Sequence, residues 1–307
     1  MKTGAKLFVF LFLIYYLSTF AAEQFTTTEV KDQNFVADFY STDSSLKKLG
    51  ILVLGGSEGG KPDHLARVLA EEGYPVLSLA YFKTEGTSEY LDMIPLEYFD
   101  KPIQWLKDHE KVKGGAIAVV GGSKGAELAL LLASRKPEIR GVVAFAPSSV
   151  VFQGIPKVFW PPRSSWTSNG KPVPFVPYDY SKGFNPNDLL SLYEISLEQS
   201  EAVKKATIEV QRINGPILLF SGVDDKMWPS VKMGDMICER LKDKKFNHKY
   251  EHFKYDKAGH TLNEYFMLGG TREGNKKARI DSTKKMLKFL EELAFEPGAP
   301  AEANRRG

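Results

Sequence analysis

The chain has 307 residues, a net charge of +3 and one cysteine, Cys238. Basic and acidic residues are interspersed, which argues against a nucleic-acid surface, and a single cysteine excludes an internal disulfide. No Cys/His cluster has metal-ligand spacing, so neither a metal nor a cofactor is expected.

In chain order, Met1 to Lys6 is a short basic segment and Leu7 to Tyr16 an almost unbroken apolar run. Thr19 and Ala21 are small residues at the −3 and −1 positions of a cleavage site after Ala21, so residues 1–21 read as a secretory signal peptide. The alternative is an uncleaved membrane anchor, although the apolar run falls short of the roughly 20 residues of a spanning helix. The expected location is secreted or periplasmic, with membrane contact only if the leader is retained. Residues 22–46 are polar and weakly patterned, an extended lead-in, and residues 47–295 carry the main domain.

Leu49 to Leu54 predicts a buried strand that ends in Gly55-Gly56-Ser57-Glu58-Gly59-Gly60. His64 to Gly73 has helical spacing, Pro75 to Ala80 is a second strand, and Leu96 to His109 a second helix. The apolar run Ala116 to Val120, then Gly121-Gly122-Ser123-Lys124-Gly125, then the helical segment Ala126 to Ala133 follow. Gly141 to Ala146 and Pro216 to Phe220 predict further strands, Val231 to Leu241 a helix, Tyr250 to Tyr255 a strand, and Ala278 to Leu293 an amphipathic final helix with Ile280 on its apolar side. Short apolar strands alternating with helices predict an α/β fold, a mostly parallel central sheet with helices on both faces. Residues 148–205 interrupt the alternation with aromatics and with Pro161, Pro162, Pro172, Pro174, Pro177 and Pro186, and predict a cap-like insertion with a short helix near Leu189 to Gln199. Residues 296–307 predict a disordered tail.

The stretch from Gly121 to Gly125 is a G-x-S-x-G pattern between strand and helix, the signature of a nucleophile elbow that presents Ser123. A serine alcohol needs a base and a group to orient that base, and in this strand–helix context the order is Ser, then Asp or Glu, then His. Asp224 and Asp225 both follow the Pro216 to Phe220 strand, and the spacing favours Asp225. His260 follows the last strand and is the expected base. His64 and His109 precede the serine, and His248 and His252 lie in or beside a strand, where a structural role is expected. The oxyanion donors are expected to be backbone amides: that of Lys124, and one from the loop after the first strand, Gly56 or Ser57. The Lys124 side chain is expected to pack or pair at the surface.

Leu79-Ala80-Tyr81-Phe82, Ile94 to Phe99, Gly122 to Leu130 and Asp224 to Ser230 together resemble the C-terminal catalytic domain of the bile acid-CoA:amino acid N-acyltransferase and acyl-CoA thioesterase family, from about Leu49 to Leu293. The resemblance implies an α/β-hydrolase fold and a nucleophile–His–Asp triad, with the aspartate at Asp225 and the histidine at His260. It also implies a choice of acceptor. Acyltransferase members have a cysteine at the elbow, and Ser123 looks like the thioesterase members, which release the acyl group to water. The animal members carry an N-terminal β-sandwich domain, for which the residues before Leu49 are too few. Family members of known location are intracellular, where CoA is found, so an exported chain would point to another ester or thioester. The expected function is therefore a serine acyl hydrolase acting on a small-molecule thioester, acyl-CoA-like, or ester. A carboxylesterase, a dienelactone-hydrolase-like enzyme or a peptidase is the alternative, and an acyltransferase or a non-catalytic binding protein comes after these.

Overall fold

Leu52, Val53, Val76, Leu77, Val119, Val120, Val142 and Val143 are wholly buried. Strands this apolar on both faces persist only when helices cover the two sides of the sheet. The computed structural model describes residues 25–30, 33–43 and 47–295. The expected signal peptide and tail lie outside the described residues, as does part of the lead-in.

The elements run β1 (Thr26–Val30), β2 (Val36–Ser41), β3 (Gly50–Leu54), α1 (Asp63–Glu71), β4 (Val76–Ala80), β5 (Ile94–Pro95), α2 (Asp100–Asp108), β6 (Ile117–Gly122), α3 (Lys124–Ala133), β7 (Ile139–Phe145), β8 (Trp166–Ser168), β9 (Lys171–Pro172), α4 (Leu189–Ser196), α5 (Ser200–Ala206), β10 (Ile217–Gly222), α6 (Ser230–Asp243), β11 (Tyr250–Tyr255) and α7 (Arg272–Phe295). The main sheet has the order β1-β2-β4-β3-β6-β7-β10-β11. From β4 to β11 every neighbouring pair is parallel, with Leu52 level with Leu77 and Val119, and Phe220 level with Phe145 and Phe253. The C-terminal ends of these strands therefore open on one edge, where sheets of this kind carry their sites.

Three expectations change in detail. Residues 26–41, read as an extended lead-in, include an antiparallel pair, β1 with β2, that joins the sheet through β2 and β4. Their ladder bonds and the burial of Ala37, Phe39 and Tyr40 fix them there, despite the polar, exposed face of β1. The helix expected from Leu96 begins as a 3-10 turn, Leu96–Phe99, before α2. The last helix starts at Arg272, before the expected Ala278, and Ile280 faces solvent at 53% exposure. Its inward residues are Ala278, Met286, Phe289, Leu290 and Leu293.

The core lies on both faces of the sheet, and α3 is buried on every side. The sheet covers one flank of α3. Residues 148–213 cover another, through Val151, Trp166, Ile208 and Val210. Its strands β8 and β9 form a small three-stranded sheet with β5, which lies earlier in the chain, and it holds the helix α4 within the expected Leu189 to Gln199. Among the described residues no helix is long and apolar enough to cross a membrane.

Candidate active site

Ser123 stands between β6 and α3 with φ 55° and ψ −123°. A non-glycine residue with positive φ stores on the order of 1–3 kcal/mol of strain, and the surrounding contacts must hold it there. Those contacts are visible. The Ser123 N–H donates to the Phe145 carbonyl at 2.9 Å, tying the turn to β7. A Cβ on Gly121 would strike the Gly125 carbonyl, and one on Gly125 would strike the carbonyls of Leu54 and Gly55. The two glycines of the motif are thus required by the close approach of α3 to β6 and β3.

Asp225 and His260 follow β10 and β11 on the same edge of the sheet. His260 Nδ1 donates to Asp225 Oδ2 at 2.9 Å, and both side chains are about 5% exposed or less. Asp225 accepts three more bonds: Met227 N–H (2.8 Å) and Trp228 N–H (3.2 Å) on Oδ1, and Ser230 Oγ (2.7 Å) on Oδ2. A carboxylate is only an acceptor, so this bond requires the proton on Nδ1 and leaves Nε2 as the ring nitrogen that Asp225 does not engage. Trp228 packs edge-on against the imidazole at 5.6 Å. Of the two adjacent aspartates it is Asp225 that meets the histidine; Asp224 is partly exposed, and its N–H bonds the Ala258 carbonyl. Among the described residues no hydrogen bond joins Ser123 Oγ to His260 Nε2, and such bonds commonly tighten only around a bound substrate.

The expected oxyanion donors also lie at this edge. Lys124 is the first residue of α3, where a backbone N–H has no partner within the helix. Gly56 lies against the elbow: a Cβ placed on it would be 3.1 Å from Ser123 Cβ and 3.2 Å from the Gly122 carbonyl. Its N–H donates to Glu58 Oε1 at 2.7 Å. Ser57, the other candidate, is partly exposed in the adjoining turn.

The Lys124 side chain departs from expectation. It is 1% exposed, and its ammonium reaches both Glu127 oxygens at 2.7 and 2.8 Å. Glu127, itself fully buried, also accepts from Trp166 Nε1 (2.9 Å) and Phe152 N–H (3.2 Å), both in the insertion. Burial drives the Glu127 carboxyl up and the Lys124 ammonium down, and their mutual attraction and shared hydrogen bonds oppose both shifts. The surface reading failed because the insertion closes over this face of α3. The signal was a Lys and a Glu three residues apart in a helix otherwise made of Gly, Ala and Leu.

His252, for which a structural role is expected, lies in β11. Nε2 lies 2.9 Å from Ser221 Oγ and Nδ1 3.1 Å from Asp235 Oδ1. Burial holds its imidazole below the ordinary histidine range. A 620 Å³ cleft lined in part by Leu190, Val223, Asp225, Pro229 and Met236 opens beside the Asp225 loop, and neither Ser123 nor His260 lines it. No group of residues able to hold a metal ion occurs among the described residues.

Residues 94–294 match the family model described as BAAT / acyl-CoA thioester hydrolase C terminal. The chain is 28% identical over 264 residues to acyl-coenzyme A thioesterase 6 of Mus musculus, an alignment covering 79% of this chain and 59% of that protein. It therefore spans little more than half the length of such relatives. Among solved structures, a Pyrococcus furiosus esterase superposes with a TM-score of 0.55 at 17% identity, covering 88% of this chain and 91% of the other. A Pyrococcus horikoshii acylaminoacyl peptidase superposes with a TM-score of 0.59 at 13% identity, covering 91% and 44%. At these identities the likeness establishes the fold alone, that of an α/β-hydrolase.

Proposed function

The chain belongs to the BAAT / acyl-CoA thioester hydrolase C-terminal family, and on that premise we propose that it is a serine acyl hydrolase that cleaves a thioester or ester through Ser123, His260 and Asp225. The observation that carries the reading is the buried Asp225–His260 bond, 2.9 Å long, at the sheet edge that also holds Ser123 in its positive-φ turn. His260 Nε2 takes the Ser123 proton as Oγ attacks the acyl carbonyl, and Asp225 stabilises the imidazolium without accepting its proton. The Lys124 and Gly56 amides receive the oxyanion. Collapse expels the thiol or alcohol, protonated by His260, and leaves an acyl-serine. Water, deprotonated by the same imidazole, then releases the carboxylic acid and restores the serine.

Ser123 in place of cysteine supports water as the acceptor. The insertion supports a substrate-shaping role, because Phe152 and Tyr193 pack around Trp228, which in turn packs on His260. Acyl-CoA is the thioester suggested by the relatives' names. The leader at residues 1–21 favours an exported protein and a different thiol or alcohol.

The test is a panel of acyl-CoA, 4-nitrophenyl esters and peptide amides on the purified protein, with a fluorophosphonate probe. Turnover of thioesters or esters and labelling of Ser123 are expected, both lost in Ser123→Ala. Preference for amides would make it a peptidase. Full turnover by Ser123→Ala would overturn the assignment.

A further inference from the structure

Glu58 lies in the turn between β3 and α1 and is exposed, yet its carboxylate bends back into the site. Oε1 accepts the Gly56 N–H at 2.7 Å. Oε2 sits over the Gly56 Cα: a Cβ built there would be 2.7 Å from Oε2 and 3.1 Å from Ser123 Cβ. An anion thus rests beside the nucleophile, on an amide that the acyl-hydrolase reading assigns to the oxyanion. No ion pair among the described residues neutralises it. Lys83 Nζ reaches the Glu58 backbone carbonyl, at 3.4 Å, and not its carboxylate.

A carboxylate hydrogen-bonded to an oxyanion donor has the shape and charge of an acid product. One N–H cannot serve it and a tetrahedral oxyanion together, so Glu58 must leave Gly56 when an acyl carbonyl arrives. Its exposure lets it do so at little cost. The displaced charge stays at the mouth of the site and repels like charge there, and like charges in apposition are strongly selected against at recognition surfaces.

We propose that Glu58 is a specificity-determining residue of the acyl site: it fills the Gly56 donor until an acyl carbonyl displaces it, and its charge then selects against acyl groups that carry an anion. The inference rests on the acyl-hydrolase reading above and adds to it the charge class of the acyl group, neutral or cationic.

Three 4-nitrophenyl esters of equal acyl length, ending in a methyl, a quaternary ammonium or a carboxylate, test this with the full chain, Glu58→Gln and Glu58→Ala. Glutamine keeps the size and an acceptor oxygen without the charge, and alanine removes both. The unsubstituted protein is expected to favour the neutral over the anionic ester by about tenfold in kcat/KM, the effect of on the order of 1.4 kcal/mol. Both variants should erase that preference, and Glu58→Ala alone should raise turnover of the neutral ester. A neutral-to-anionic ratio unchanged in both variants overturns the inference, as does a fall in neutral-ester turnover in Glu58→Ala. Failure of the underlying reading looks different: no ester of any charge is hydrolysed and the fluorophosphonate leaves Ser123 unlabelled, which overturns both.

Discussion

His260 and His252 meet the same kinds of partner. Each donates Nδ1–H to an aspartate, Asp225 at 2.9 Å and Asp235 at 3.1 Å. Around His260 the carboxylate is buried, 3% exposed, and accepts four hydrogen bonds, while Ser123 stands partly open in its turn. Around His252 the order of burial is reversed. Asp235 is 42% exposed and shared with Lys254, and Ser221, which bonds Nε2, is wholly enclosed at the end of β10. On the acyl-hydrolase proposal, the first arrangement sets a base on the same sheet edge as a partly exposed serine. The second spends both nitrogens inside the fold, joining β10, β11 and α6. On that proposal, a serine, a histidine and an aspartate within reach of one another are not sufficient for chemistry, which also needs a reachable nucleophile beside oxyanion donors.

Matched substitutions at the two aspartates would break this contrast most directly. Asp225→Asn offers an amide N–H to Nδ1 and so favours the wrong tautomer, with an expected fall in kcat of about 10⁴ for a nitrophenyl ester. Asp235→Asn should leave kcat nearly unchanged, and equal losses at both sites would erase the distinction. The elbow also rests on a buried ion pair that the second assembly lacks. Lys124→Met leaves Glu127 charged, buried and unpaired, which should cost about 3–5 kcal/mol in urea unfolding. Pairing that change with Glu127→Leu should recover much of the loss. Ser221→Ala takes the hydroxyl from a buried imidazole nitrogen, and a loss of about 1–3 kcal/mol is expected with turnover intact.

The smallest effect is one of pH. Burial depresses the pKa of His252, and likewise that of His109, so the folded state prefers both imidazoles neutral. Stability from these groups is fully present above the unfolded histidine value of about 6.5 and is lost as pH falls below it toward the depressed folded values, because the unfolded chain then binds more protons. Thermal melts across that window should show a shallower decline in His252→Gln than in the parent chain.

Much of the fold was legible because its cause is local. Strands such as Leu52–Leu54 and Val119–Val120 are apolar without alternation, and the interrupting glycines and helical spacing mark where each ends. The pairing of β1 with β2 was less visible. The run Thr26-Thr27-Thr28-Glu29-Val30 has β-branched residues but an exposed face, and its place depends on β4 presenting an open edge to β2. Ile280 is apolar but out of helical phase with Met286 and Phe289, so it falls on the exposed side of the last helix, whose inward face is set by the sheet it packs on.

By itself, the sequence determined the strand–turn–helix around Ser123 and marked Asp225 and His260, in the chain order Ser, Asp, His, as its candidate partners. These follow from chain-local facts: glycine spacing, apolar period and position after a strand. Tertiary structure alone decided the rest. It turned Lys124 inward onto Glu127 beneath the insertion, and it gave His252 an enclosed serine from β10 and an exposed aspartate from α6. Each of these depends on which segments meet in space, and burial and contact between segments distant in the chain leave little trace in the residues that flank them.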